Sequence, residues 1–498
     1  MPRPLINRRE AVQFLGAATV TQPLTAASPD ICFMSATEMA RLIRRKKLSA
    51  REAMAAHLKQ IERLNPQVNA IVTLAADKAM EDARKADEAQ ARGASLEVLH
   101  GLPVVHKDLF ETAGMRTAYG SRIYKDNVPK QDAIIVERYI GAGAISVGKS
   151  NTPEFGAGSQ TFNEVFGATK NPYDLTKTCG GSSGGAAVSL ACGMTPIANG
   201  SDSGGSLRNP AAFCNVVGIR PAAGRVPTAA SGNAWSTISV NGPMARNVSD
   251  LALQLQAIAG PDVRCPISIT EPAALFGRNL ERSFKGIRVA WFRNMGGIPF
   301  DPRIPAAINA QRAVFEQLGC IVEEAEPDWT GAHEGYGILR AWGYAASHAD
   351  DVRLHRDLVK DTVIWEVERG LRLSGADVMR GHSLRSRAWD QMRIFQEKYE
   401  YFITPTTQVL PFDVKQPYPE EINGVRMSDY VEWQNSCVLI SALENPAISV
   451  PCGFVDGLPV GMQIVGRHRD EWGVLQIAHA FEQATDWHKR RPSLTGAL

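Results

Sequence analysis

The sequence predicts an α/β protein, and two features of its 498 residues indicate that class. From Gly101 onward, short apolar runs alternate with helical stretches and glycine-rich turns, as expected when helices separate the strands of a central sheet. The composition is that of a globular protein, because 44% of the residues are hydrophobic and 21% are charged. The predicted strands lie at residues 102–105, 144–147, 216–219 and 287–291.

Helices are predicted from capping signals and from apolar periodicity. Ser35 with Glu38, and Ser49 with Glu52, have the S-x-x-E spacing of a capping box, and each pair precedes helix-period apolar residues. These two signals predict two helices within residues 35–64. Further helices are predicted at residues 75–92, 247–260, 301–318 and 471–487, and most of 330–400 is expected to be helical.

Charge and cysteine content exclude several classes of function. The net charge is only +2, so the surface is not that of a protein built to bind nucleic acid or anionic lipid. The eight cysteines contain no C-x-x-C pair, which favours buried free thiols over disulfides or zinc ligands. There is no run of about 18 apolar residues. We therefore predict no metal, no cofactor, no nucleic acid and no membrane span.

The N-terminus leaves two interpretations open. Arg8 and Arg9 precede a mildly apolar stretch at residues 11–20, which is the order found in a twin-arginine export signal. Gln13 interrupts that stretch. We favour a cytoplasmic protein with residues 1–30 as a leader, and the alternative is export to the periplasm.

The glycine-rich segment at residues 178–225 carries the chemistry. It contains GGSSGG at 180–185 and GSDSGGSLR at 200–208. A phosphate-binding loop fits poorly, because neither stretch matches G-x-G-x-x-G or G-x-x-x-x-G-K-[ST]. A nucleophile elbow centred on Ser183 matches G-x-S-x-G, although nothing singles out an Asp or His partner. The third interpretation couples serines of both stretches to Lys107, which follows a predicted strand.

This third interpretation rests on an ordered series of motifs. The strand with Lys107 and Asp108 is followed by the two glycine-rich stretches, and further motifs stand at residues 210–213, 217–221, 242–246 and 457–463. On these motifs the chain resembles the amidase signature family of serine hydrolases over about residues 35–490. The resemblance implies a single large α/β/α sandwich around a mixed β-sheet at residues 31–498, with a helical, Trp-rich insert at about 300–440.

The resemblance also implies a role for individual residues. The catalytic residues are Lys107, Ser182 and Ser206, and the peptide bond before Ser182 is cis. The oxyanion hole is formed by the backbone N–H groups of Ser203, Gly204, Gly205 and Ser206. The supporting polar residues are Ser183, Asp202 and Arg208, whereas His106 is expected to be a packed neighbour.

The resemblance implies hydrolysis of an amide C–N bond through an acyl-enzyme on Ser206, with a proton relay from Ser206 through Ser182 to Lys107. A serine hydroxyl needs a base, and Lys107 can serve only when uncharged, so its pKa must fall from about 10.4 to about 7–8. The expected partners are a small amide and water, and a homodimer is compatible with the sequence. Aryl amides, esters and carbamates are candidate substrates, with Tyr119, Phe155, Trp235, Trp342, Trp365, Trp389 and Trp433 as candidate pocket residues.

One alternative within the family is the glutamine-hydrolysing component of a tRNA-dependent amidotransferase. That branch usually has glutamine after Ser-x-Arg, where this chain has Asn209. Residues 227–230 also differ from that branch. We therefore favour a free-standing amidase.

Overall fold

A mixed β-sheet of eleven strands forms the centre of the protein in a computed structural model that describes residues 29–229 and 233–496. Within these ranges the strands are β1 Ile71–Leu74, β2 Pro103–Lys107, β3 Ile145–Ser150, β4 Phe162–Asn163, β5 Gly167–Ala168, β6 Ile197–Asp202, β7 Val217–Arg220, β8 Val240–Ala245, β9 Arg288–Trp291, β10 Ile321–Glu324, β11 Tyr401–Pro405, β12 Glu421–Ile422, β13 Val425–Arg426, β14 Ala447–Val455 and β15 Leu458–Val465. The order in the large sheet is β1-β3-β2-β6-β8-β7-β14-β15-β11-β9-β10. The pairs β2–β3, β2–β6, β9–β10 and β9–β11 are parallel, and the other neighbours are antiparallel.

The helices agree with most of the capping and periodicity signals. Ser35 caps the second helix, and Ser49 with Glu52 completes the capping box of the third. Asn247 caps the eighth helix. The helices are α1 Pro29–Phe33, α2 Ala36–Arg44, α3 Ala50–Val68, α4 Ala76–Ala91, α5 Ile134–Gly141, α6 Gly184–Ala191, α7 Arg208–Phe213, α8 Val248–Ile258, α9 Arg303–Asn309, α10 Arg312–Gln317, α11 Ala332–His355, α12 Asp361–Leu371, α13 Gly375–Lys398, α14 Asn435–Ala442 and α15 Glu471–Thr485.

Helices cover both faces of the sheet. Val104 and Val105 are successive residues of β2, yet they belong to different hydrophobic clusters, and Ile197 and Ala198 of β6 divide in the same way. Since successive side chains of a strand point to opposite faces, the two clusters lie on opposite sides of the sheet. Helix α8 packs in the first cluster and α6 in the second. The predicted α/β/α sandwich around a mixed sheet is therefore confirmed.

Two predicted boundaries differ from the structure. The helix predicted at 301–318 is divided into α9 and α10, but Ala310 and Gln311 keep right-handed helical backbone angles between them. The predicted insert at 300–440 contains β10 and β11, which belong to the central sheet. Its helical part is narrower, because α11 to α13 occupy residues 332–398 between those strands.

Other expectations concern thiols, membranes and the leader. All eight cysteines are buried and free. No helix in the described ranges is long and apolar enough to cross a bilayer. The twin-arginine interpretation concerns residues 1–27, which lie outside the described residues.

The parallel strands β2 and β6 position the chemistry. Lys107 is the last residue of β2, and Asp202 is the last residue of the neighbouring β6. The carboxyl ends of parallel neighbours meet at one edge of a sheet, where α/β proteins commonly bind ligands. The loop before α6 and the segment between β6 and α7 bring their serines to the same edge.

Candidate active site

Lys107 has a fully buried side chain that meets three serine hydroxyls. Its Nζ lies 2.7 Å from Ser182 Oγ, 2.9 Å from Ser183 Oγ and 3.0 Å from Ser201 Oγ. Its backbone N–H donates to Asn199 Oδ1 at 3.0 Å, which fixes the end of the strand. The structure thus brings the predicted lysine and both serines of the first loop together. The sequence analysis did not single out Ser201, although it lies within the GSDSGGSLR stretch.

The environment of Lys107 favours the uncharged amine. Burial lowers the pKa of Lys107 to about 7, although the Asp202 carboxylate opposes this shift. The carboxylate of the adjacent Asp108 accepts from the backbone N–H of Ala118 at 3.2 Å instead of approaching the amine. The lowered pKa increases the share of Lys107 side chains that are uncharged near neutral pH, in the form that can accept a proton.

The hydrogen bonds around Lys107 are compatible with one direction of proton transfer when its amine is uncharged. The Ser183 hydroxyl donates to the carbonyl oxygen of Ser201 at 3.3 Å, so the Ser183 oxygen is left to accept from Lys107. An uncharged amine has two hydrogens and one lone pair. When Ser183 and Ser201 accept the two hydrogens, the lone pair faces Ser182, the nearest hydroxyl. In this arrangement Ser182 donates to Lys107 and can pass it a proton.

The loop that carries Ser182 is anchored at several points. The Gly181–Ser182 peptide bond is cis. Ser159 Oγ donates to the carbonyl oxygen of Gly181 at 2.7 Å. The backbone N–H of Ser183 donates to the carbonyl oxygen of Ser206 at 3.2 Å. This last bond fixes the first serine pair relative to the segment of the predicted nucleophile.

Ser206 lies between β6 and α7 and is 8% exposed. Together with Ser182 and Ser201 it lines a cavity of about 390 Å³. Its hydroxyl forms no hydrogen bond with any residue that the structure describes, so it is available to a molecule in the cavity. The proton transfer expected from Ser206 to Ser182 is therefore supported by the cavity that both residues line.

The predicted oxyanion donors fall into two groups. The backbone N–H groups of Ser203, Gly204 and Ser206 donate to no acceptor within the described ranges. The N–H of Gly205 was also predicted to be an oxyanion donor. In the structure it instead donates to Asp202 Oδ1 at 2.9 Å. Gly205 also has a φ of +123°, which L side chains rarely adopt. We retain the first three as candidate oxyanion donors and assign the Gly205 N–H to bracing the segment.

A buried carboxylate supports this segment. Asp202 pairs with Arg208 at 3.0 Å and with Arg220 at 3.1 Å, and all three side chains are fully buried. It also accepts from the backbone N–H of Leu207 at 3.2 Å. Burial alone raises the pKa of Asp202, but the two guanidinium groups hold it well below its usual range. Sequence analysis named Asp202 and Arg208 but did not single out Arg220, which lies in the motif at 217–221.

Replacing Asp202 by Asn should destabilise the protein. The substitution leaves Arg208 and Arg220 buried without their counter-ion, and breaking such a cluster costs about 3–5 kcal/mol. The free energy of unfolding, measured by denaturant titration, should fall by that amount. The control Asp390→Asn removes an exposed partner of Arg393 and should cost less than about 1 kcal/mol. Equal losses in the two variants would contradict the bracing role.

The pH dependence of activity should report Lys107. Because burial lowers its pKa to about 7 and only the uncharged amine accepts a proton, kcat/KM should fall as the pH decreases through 7. At pH 5 about 1% of the amine remains uncharged, which predicts a roughly 50-fold loss relative to pH 7. A profile measured between pH 5 and 9 checks this, and a flat acidic limb would contradict it.

Histidines near the site do not contact the serine of the elbow interpretation. His106 is buried, with Nδ1 2.7 Å from Asn199 Nδ2 and Nε2 2.8 Å from Ser146 Oγ, and burial lowers its pKa to about 3. It is a packed neighbour, as expected. In the described part of the chain, the hydroxyl of Ser183 bonds Lys107 and a backbone carbonyl, not a histidine. This arrangement favours the lysine relay over the elbow.

Aromatic rings form one part of the lining of the cavity at Ser206, alongside several serines and the side chains of Arg340 and Arg385. Phe155, Trp235 and Trp342 line it as predicted, and the rings of Tyr344, His348 and His382 join them. The other candidate pocket residues are not part of this lining: Tyr119, Trp365, Trp389 and Trp433. Trp433 packs instead against Phe412 in the core. Metal-ligand clusters of three or more His, Cys, Asp or Glu are absent from residues 29–229 and 233–496.

Comparisons with known proteins identify similar chains along nearly the whole length. A family profile described as Amidase matches residues 52–475. An acylamidase from Rhodococcus erythropolis is 36% identical over 93% of this chain and 97% of its own length. A component of the glutamyl-tRNA(Gln) amidotransferase from Moorella thermoacetica is 35% identical over 93% of this chain and 99% of its own. The crystal structure of a bacterial aryl acylamidase of the amidase signature family superimposes with a TM-score of 0.88 at 28% identity, over 94% of this chain and 99% of the other.

Proposed function

This chain belongs to the amidase family and hydrolyses amide C–N bonds, and we propose that it does so through an acyl-enzyme on Ser206 with a relay through Ser182 to Lys107. One observation carries the proposal: a fully buried Lys107 amine lies 2.7 Å from the Ser182 hydroxyl, beside the cavity that Ser206 lines. A desolvated amine of lowered pKa is a suitable general base near neutral pH.

The first half of the reaction forms the acyl-enzyme. Ser206 Oγ attacks the amide carbonyl carbon while its proton passes to Ser182, whose own proton moves to Lys107. The oxyanion accepts hydrogen bonds from the N–H groups of Ser203, Gly204 and Ser206, and such donors are worth about 10²–10³ each in rate elsewhere. Collapse breaks the C–N bond, and the relay returns the proton to the leaving nitrogen.

The second half releases the acid. Water donates a proton through the same relay as its oxygen attacks the acyl carbon. Collapse of the second oxyanion breaks the bond to Ser206 Oγ, which regains a proton from Ser182. The carboxylic acid leaves, and Lys107 is again uncharged.

We propose apolar, aromatic amides as the substrate class. The cavity of about 390 Å³ lies within the usual range for small-molecule sites, and Phe155, Trp235, Trp342 and Tyr344 offer ring surfaces to an aryl group. The rings line the same cavity as the proposed nucleophile, where one side of the scissile bond must sit. Aryl esters and carbamates share this shape and remain secondary candidates.

A substrate panel tests this class. 4-Nitroacetanilide and benzamide should be turned over with kcat/KM at least about tenfold above acetamide, because burying one aryl ring contributes more than about 1.4 kcal/mol. Arylamine and ammonia release are measured, with Ser206→Ala as the blank. Turnover of small polar amides alone would contradict the aryl assignment.

The alternative function is the glutamine-hydrolysing component of a tRNA-dependent amidotransferase. The Moorella relative favours it, whereas Asn209 and residues 227–230 do not fit that branch. L-Glutamine is therefore included in the panel. Ammonia release from glutamine that requires two co-purifying proteins and charged tRNA would replace our proposal, whereas arylamine release by the isolated chain supports it.

We also propose that the protein acts in the cytoplasm without nucleic acid, either alone or as a homodimer. Gln13 within the apolar stretch and the net charge of +2 support this assignment. Fractionation of cells that express the full chain tests it. Recovery of a shortened chain in the periplasm would favour the export interpretation.

A further inference from the structure

A buried tyrosine contacts the segment proposed to hold the oxyanion. Tyr336 lies in α11 with 1% of its side chain exposed. Its hydroxyl is 3.3 Å from Ser203 Oγ and accepts from Arg340 Nη1 at 3.4 Å. Because a guanidinium only donates, the hydroxyl hydrogen of Tyr336 is left to point towards Ser203.

The same hydroxyl explains the glycine at position 204. A Cβ added to Gly204 would lie 2.5 Å from Tyr336 Oη, 3.2 Å from Val438 Cγ2 and 3.3 Å from Tyr336 Cζ, so the tyrosine oxygen makes by far the closest contact. The backbone at Gly204 does not need glycine for its φ angle, unlike that at Gly205. The glycine is therefore required by the close approach of the tyrosine oxygen, which places that oxygen directly against the segment.

Tyr336 is itself held by a buried cluster. Arg340 Nε donates to Glu366 Oε1 at 2.6 Å, and Arg340 Nη2 donates to the Tyr430 hydroxyl at 2.9 Å. The Tyr430 hydroxyl donates to the same Glu366 oxygen at 2.9 Å. The three side chains are at most 7% exposed, so the hydrogen bonds among them are shielded from water. It joins α11 to α12 and to the chain before α14.

We propose that Tyr336, itself held in place by Arg340 and Glu366, is a positioning residue for the oxyanion segment, residues 203–206. This inference rests on the proposed function. The hydroxyl orients Ser203 and limits the movement of Gly204, so that the N–H groups of both residues point into the cavity before substrate arrives. Such preorganised donors act on the transition state more than on the bound substrate. Loss of the hydroxyl should therefore lower kcat while KM and the pKa of the acidic limb are unchanged.

The test compares Tyr336→Phe, Gly204→Ala and the double variant, with 4-nitroacetanilide as substrate. Tyr401→Phe is the matched control, because Tyr401 is also fully buried, accepts from an arginine and donates to a backbone carbonyl at 3.0 Å. Rates are expressed per site labelled by phenylmethylsulfonyl fluoride, so that misfolded protein does not count. The pH profile is recorded for each variant.

We expect Tyr336→Phe to lower kcat about tenfold at unchanged KM, and Tyr401→Phe to leave it within about twofold. Gly204→Ala alone should lower kcat about 100-fold or more. In the Tyr336→Phe background the same substitution should lower kcat by a factor about tenfold smaller, because the clashing oxygen is gone. A Tyr336→Phe kcat within about twofold of the native value, or an equal cost of Gly204→Ala in both backgrounds, would overturn the inference.

Ser206→Ala, which cannot be labelled and whose rate is therefore expressed per folded chain, separates the two proposals. If it keeps native turnover, the proposed function fails, and the positioning role fails with it. If Ser206→Ala is inactive and Tyr336→Phe is indistinguishable from the native enzyme, only the positioning role is overturned.

Discussion

Ser206→Ala should lose turnover of every amide in the panel, by about 10⁴-fold or more, because it removes the atom that forms the acyl-enzyme. The cavity and the neighbouring groups should persist, since Ser206 Oγ bonds no residue among those described. Substrate binding should consequently survive. Release of 4-nitroaniline under single-turnover conditions measures the loss, and equilibrium binding of the substrate checks the pocket.

The control for this prediction is Ser189→Ala. Ser189 is fully buried in α6, where its hydroxyl donates to the carbonyl oxygen of Gly185 at 2.7 Å and does not face the cavity. It should keep activity within about threefold of the native value, because only a local hydrogen bond is lost. Native-like turnover by Ser206→Ala would exclude the acyl-enzyme at this position.

Lys107→Ala should be comparably inactive near neutral pH. Without the amine, Ser182 has no partner that accepts its proton. Removing one member of a catalytic unit can lower kcat nearly as much as removing all of them. We expect a loss of about 10⁴-fold in kcat/KM at pH 7. Raising the pH to 9 should not restore activity, whereas the native enzyme gains uncharged lysine as the pH rises past 7.

Two further sets of variants make this result specific. Lys107→Met fills most of the lysine's space without the amine, so an equal loss in Lys107→Met and Lys107→Ala assigns the effect to the amine instead of a cavity. His348→Ala and His382→Ala remove the two histidines that line the cavity, and each should keep activity within about tenfold. Near-native activity in Lys107→Ala, together with loss of activity in His348→Ala or His382→Ala, would favour the nucleophile elbow on Ser183.

Local signals in the sequence predicted much of the fold. The capping serines at positions 35 and 49 and the apolar runs at 102–105 and 144–147 correspond to observed helices and strands, because caps and buried strands are set by neighbouring residues. The resemblance to the amidase signature family supplied Lys107, Ser182 and Ser206 as candidate catalytic residues. The structure brings Lys107 to Ser182 and opens both serines onto one cavity.

The remaining features depend on contacts between distant segments. Tyr336 lies 133 residues from Ser203, and nothing in the sequence near either residue indicates their contact. Arg220 reaches Asp202 only because β7 and β6 both pair with β8. Trp342 and Trp433 look alike in the sequence, yet the first lines the cavity and the second is buried in the core. Which tryptophan meets a substrate is decided by packing, which local sequence patterns do not report.

Mapping the covalent adduct of phenylmethylsulfonyl fluoride tests the central claim most directly. The tryptic peptide at residues 178–208 contains Ser182, Ser183 and Ser206 together, so fragment masses within one peptide assign the modified serine. We expect one adduct per chain, on Ser206, which is absent from Ser206→Ala and strongly slowed in Lys107→Ala. An adduct on Ser183 or Ser182 with Ser206 unmodified would contradict the proposed nucleophile.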